Sequence, residues 1–105
     1  MKIIRISKDQ GKLRSNSKGS VLVPVSILEN CDINSGDIIY AAPRGRNVVI
    51  SKNKKNLSND ITKIIVRKSN ALVPKHLFEN ASIDGSNRKY KLSASRGLFI
   101  IASSR

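Results

Sequence analysis

Residues 21–40 read VLVPVSILENCDINSGDIIY, and residues 71–90 read ALVPKHLFENASIDGSNRKY. A chain of 105 residues that repeats itself at a fifty-residue offset has few ways to fold, because neither half alone reaches the size at which a core becomes self-sufficient. The two copies are therefore expected to share one core. Setting Leu22 over Leu72 aligns the chain without a gap as far as Lys52 over Ala102, with identities at Leu22/Leu72, Val23/Val73, Pro24/Pro74, Glu29/Glu79, Asn30/Asn80, Ile33/Ile83, Tyr40/Tyr90, Arg46/Arg96 and Ile50/Ile100. Apolar character is also kept at Ile27/Leu77, Leu28/Phe78, Cys31/Ala81, Val48/Leu98 and Val49/Phe99.

Each copy has the same grammar. The β-branched runs SVLVP and NALVP predict a strand stopped by Pro24 or Pro74, which lacks a backbone donor. The next seven residues place apolar side chains at i, i+1 and i+4, predicting a short helix that begins near the proline and ends at Asn30 or Asn80, a residue type tolerant of the left-handed exit. Turn-rich INSGD and IDGSN follow, then a predicted hairpin: IIYAAP and NVVIS in the first copy, RKYKLS and GLFIIAS in the second. Upstream, KIIRIS and ITKIIVRK each predict one more strand. Equating Lys2 with Lys63 leaves about eleven extra residues in the first copy, KDQGKLRSNSK, read as a polar loop. The repeats are thus 1–52 and 61–105, joined by a polar linker at 53–60, and each is strand, strand, short helix, strand, strand.

These motifs resemble the AbrB-type swapped-hairpin family, and two units in one chain resemble the MraZ-like arrangement. The stretch Asn16–Pro24 is similar to the family's approach to its Ile/Val-Pro strand, and the SGD ending at Asp37 is similar to the family's turn before the third strand. The resemblance implies a mainly β fold, a small swapped-hairpin β-barrel with two short helices built as an intrachain pseudo-dimer, and DNA binding with transcriptional regulation. Where AbrB-like helices carry two adjacent arginines, this chain has Glu29 and Asn30, or Glu79 and Asn80, so the fold carries over further than the base-reading residues.

Charge points to the same class of partner. Twenty Lys and Arg against seven Asp and Glu give a net charge of +13, spread over both halves, and self-repulsion on that scale is tolerated most readily where a polyanion neutralises it. The expected DNA-contacting residues are Lys8, Lys12, Arg14 and Lys18 in the inserted loop and Arg5, Lys63, Arg67 and Lys68 on the first strands, mainly as phosphate contacts, with Arg14 the candidate base reader. Arg46 and Arg96 are expected to pair with Glu29 and Glu79 as structural contacts, the alternative being contact with phosphate. The alternatives are a protein-interaction module, such as an antitoxin or an RNA-polymerase-docking protein binding an acidic partner, or an RNA-binding protein. Only two Tyr, two Phe and no Trp are available for the base stacking that the last would use.

No enzyme, cofactor or metal site is expected. Cys31 and His76 each stand alone, and no phosphate-binding glycine motif is present. A single Cys forms no intrachain disulfide, and no apolar run approaches a membrane span, so the expected setting is the cytoplasm, on the nucleoid, as a single chain or a homo-oligomer of such pseudo-dimers.

Overall fold

The computed structural model describes residues 4–5, 13–15, 17–57, 60–81, 83 and 90–103. They form a mainly β protein of two antiparallel sheets with two short helices. The first unit contains β1 (Ile4–Arg5), β2 (Arg14–Ser15), β3 (Val21–Pro24), α1 (Val25–Leu28), β4 (Ile38–Arg44) and β5 (Asn47–Ser51). The second contains β6 (Thr62–Ile65), β7 (Asn70–Val73), α2 (Lys75–Asn80), β8 (Tyr90–Ser95) and β9 (Leu98–Ser103). One sheet runs β1-β8-β9-β5-β4-β6 and the other β2-β3-β7, so both are assembled from the two units together.

The shared core follows from that interleaving. A single cluster joins Val21, Val23, Leu28, Ile33, Val48 and Ile50 of the first unit to Ala71, Val73, Leu77, Phe78, Phe99 and Ile101 of the second. Across the units β3 pairs with β7, Leu22 opposite Leu72, and β5 with β9, Val49 opposite Ile100.

Both helices start where the sequence places them, but the prolines are the capping residues: Pro24 and Pro74 are extended (ψ 142° and 144°), and the helix begins one residue later. The exits differ from expectation. Asn30 and Asn80 remain within helical turns, Asn30 in a 3-10 turn over Glu29–Cys31, and it is Asp32 that takes the left-handed conformation, with φ 62°. The reason is a Schellman-type closure, in which the amide of Ile33 donates to the Leu28 carbonyl (3.0 Å) and that of Asp32 to Glu29 (3.1 Å). Leu28 and Ile33, the apolar pair such a closure brings together, are both fully buried. Ile83 repeats the bond to Phe78 at 2.9 Å. Because both isoleucines lock a helix exit onto the core, Ile33→Ala and Ile83→Ala are each expected to cost on the order of 2–5 kcal/mol. Denaturant unfolding monitored by circular dichroism measures both.

The gapless alignment is corrected in the hairpins. Val48 and Ile50 face the main core while Val49 faces a smaller outer cluster; in the second unit Phe99 and Ile101 face the core, and Leu98 and Ile100 pack on the outer cluster. Val48 therefore corresponds to Phe99, an offset of 51. The turns agree, since Arg44 opposite Asn47 matches Ser95 opposite Leu98. The second unit has gained one residue between Ile83 and Ser95, so Tyr40/Tyr90, Arg46/Arg96 and Ile50/Ile100 are coincidences of type rather than equivalent places. Equating Lys2 with Lys63 also fails. That choice matches Ile4 to Ile65, yet Ile65 lies opposite Ile38, and Ile4 lies opposite Ala94, whose counterpart is Pro43, five places away.

The stretch read as a polar loop contains structure. Leu13 is buried, and Arg14–Ser15 forms β2, with Arg14 opposite Leu22. Within the linker, Leu57 packs on Ala42 and Val49 after a 3-10 turn at Lys54–Asn56. No closed barrel is seen among the described residues. The β6 ladder ends where Val66 bonds the backbone of Gly36 and Asp37, after which the chain turns into β7 and leaves β6 as a sheet edge among the described residues.

Candidate nucleic-acid interface

Two turns carry cations at the two ends of the β3–β7 ribbon. In the first unit, Ser17–Ser20 leads into β3 and holds exposed Lys18; in the second, Arg67–Ser69 leads into β7 and holds exposed Arg67 and Lys68. Lys18 and Lys68 are fifty residues apart, the offset that relates β3 to β7. Each turn rests on the start of the opposite unit's helix. The Ser69 carbonyl accepts from the amide of Val25, the first residue of α1, at 2.9 Å. Gly19, which corresponds to Ser69, lies against Lys75, the first residue of α2.

Glycine suits that second contact. Gly19 has φ 83°, and a Cβ there would come within 2.7 Å of the Lys75 Cδ. The aliphatic stem of Lys75 thus covers the turn, while the residue as a whole remains exposed. Sequence reasoning missed Lys75. The signal was present in the alignment, because Lys75 falls opposite Val25, a cation introduced into only one of two equivalent helix starts.

The other expected residues fall into place unevenly. Arg5 lies in β1 opposite Ser93, at one edge of the six-stranded sheet, and Lys63 lies in β6 opposite Tyr40, at the other edge. The two first strands thus do not continue one another as a single paired face: four strands separate them in the ladder. Arg14 is in β2, and Lys8 and Lys12 lie outside the described residues.

Every Lys and Arg with a described side-chain environment is exposed, including Arg44 and Arg46 at the β4–β5 turn and Lys54 and Lys55 beyond β5. Two ion pairs among the described residues draw on this charge at the surface. Lys52 lies 3.7 Å from Asp37 and Arg96 lies 4.0 Å from Asp32, both at exposed or half-exposed positions where such pairs contribute little. The Arg96 contact differs from the expected pairing with Glu79, because the β8–β9 turn reaches across to the first unit, where the Gly97 amide donates to the Cys31 carbonyl at 2.7 Å.

Cys31 has a packing role. It is fully buried, and desolvation pushes its thiol up to about 12 from 9.0. The thiol is neutral in the fold, whereas the unfolded chain loses its proton near 9. This contribution to stability is therefore complete below pH 9 and is lost as the pH rises towards 12. We expect no reaction with a thiol reagent at pH 8 without denaturant, and a shallower alkaline loss of stability in Cys31→Ala. His76 is exposed, and no group of three or more His, Cys, Asp or Glu side chains is placed to hold a metal among the described residues. No helix among them is long and apolar enough to cross a membrane.

Comparison with protein-family models, curated proteins and solved structures returned no match.

Proposed function

We propose that this chain is a non-enzymatic DNA-binding protein, a transcriptional regulator acting at the nucleoid, which holds duplex DNA chiefly through its phosphates. The observation that carries the reading is the pair of repeat-related cationic turns, Lys18 in one and Arg67 with Lys68 in the other, at the two ends of a two-stranded ribbon. A ribbon of four residues is about 13 Å long, comparable with the roughly 12 Å width of the DNA major groove, so turns at its two ends are suited to phosphates on opposite sides of a groove. Lys75 adds charge beside the first turn, and Arg5, Lys8, Lys12, Arg14 and Lys63 complete the proposed set of phosphate-contacting residues. The net charge of +13 supplies attraction well beyond those contacts.

In the same reading the architecture is an intrachain pseudo-dimer of the AbrB type, an open-edged relative of the swapped-hairpin barrel. Its support is the pairing of β3 with β7 and of β5 with β9, together with the reciprocal docking of each turn on the other unit's helix. The class of nucleic acid is tested by fluorescence titration of the intact chain with duplex DNA, the corresponding single strand and RNA at one ionic strength. The duplex is expected to bind most tightly. Equal or tighter binding to the single strand or to RNA would overturn the assignment to duplex DNA.

A further inference from the structure

The exposed large hydrophobic residues among those described are Ile38, Ile61 and Ile65, the last 62 % exposed. They gather on one outer face: Ile38 and Ile65 stand directly opposite each other in the β4–β6 ladder, and Ile61 immediately precedes β6. Beside them runs a groove of about 480 Å³, lined by residues 62–67, Leu72 and Pro74. Six consecutive residues of one segment line a groove when it is met along its hydrogen-bonding edge, since either face alone presents only alternate side chains. Val66 turns its own N–H and C=O towards Asp37 and Gly36, so antiparallel alternation turns those of Ile65 and Lys63 away from β4, towards the groove.

Such an edge ordinarily invites another strand. Its charge selects which one. Lys63 and Arg67 line the groove, no carboxylate among the described residues does, and Lys68 follows directly. A second copy of a chain carrying +13 is repelled from this strip, whereas an extended segment that alternates apolar and acidic residues matches both its features. We propose that the open edge of β6 takes up an acidic segment of a partner protein as an added strand, with apolar side chains against Ile65 and Leu72 and carboxylates towards Lys63 and Arg67. Main-chain hydrogen bonds give the affinity, and the alternation of side chains gives the selectivity.

The test uses the intact chain and a fluorescent peptide of alternating valine and glutamate, with blocked ends. Saturable binding is expected, and methylating the amide nitrogens of alternate peptide residues should abolish it while leaving the charge unchanged. Ile65→Ser, at a position exposed enough to leave the fold intact by circular dichroism, is expected to weaken peptide binding about tenfold and to leave duplex-DNA binding unchanged. The proposal is overturned by failure of the peptide to bind, by undiminished binding of the methylated peptide or to Ile65→Ser, or by sedimentation showing a dimer that the peptide disrupts, which would give the strip to a second copy. DNA binding is read independently in each case, so its loss alone does not bear on the strand edge.

Discussion

Residues 1–52 or 53–105, produced alone, are expected to be unfolded or to self-associate, although each contains a full set of strands and one helix. The reason lies in where the buried area is. Val21 and Val23 of β3 meet Val73 and Ala71 of β7, and Val48 and Ile50 of β5 meet Ile101 and Phe99 of β9. Cutting between the units exposes all of these at once, along with the unpaired edges of β3 and β5. Deleting even one such side chain typically costs 2–5 kcal/mol, and the total stability of a small domain is about 5–15 kcal/mol. Circular dichroism and sedimentation velocity on each half measure the outcome, and mixing the halves is expected to restore the fold. A half that is folded and monomeric would contradict the shared core.

Replacing Lys18, Arg67 and Lys68 together with glutamine is expected to weaken binding to duplex DNA by on the order of 100-fold at moderate salt, with the fold unchanged. All three are exposed and sit on turns, so their loss removes little packing. Arg46 at the β4–β5 turn and Lys54 and Lys55 after β5, replaced in the same way, form the control: three charges are again removed, and a much smaller loss is expected if contact geometry rather than total charge decides. Equal losses in the two variants would assign the binding to the overall field of the protein. Titration of a labelled duplex with each variant distinguishes the two.

How much of this could be read from the sequence depends on the range over which each feature is decided. Strand-proline-helix in both units was readable because it rests on local rules, the missing donor of proline and the spacing of Ile27, Leu28 and Cys31. The exact hairpin equivalence was not, because Tyr40/Tyr90 and Ile50/Ile100 align by type. Only the two-residue alternation of faces, set by the β5–β9 pairing, reveals the extra residue before β8. The helix exit at Asp32 rather than Asn30 was hidden for a similar reason, since the burial of Ile33 against the core outweighs the local preference of Asn for a left-handed turn. Lys18 and Lys68 were both singled out, but as a loop residue and a strand-face residue. Their relation through the repeat needed β3 paired with β7 to be seen. The exposed edge of β6 left no local trace at all, because ITKIIVRK reads the same whether its strand lies at the middle or the margin of a sheet.

The central claim is that the surplus charge on the repeat-related turns is there to meet phosphates, and the most direct measurement is the salt dependence of duplex-DNA binding by the intact chain. Contacts from Lys18, Arg67, Lys68 and Arg14 predict that log K falls linearly with log salt with a slope of about −3.6 or steeper, at roughly −0.9 for each phosphate neutralised. Absence of binding at low salt, or an affinity that does not change as salt is raised, would contradict the account.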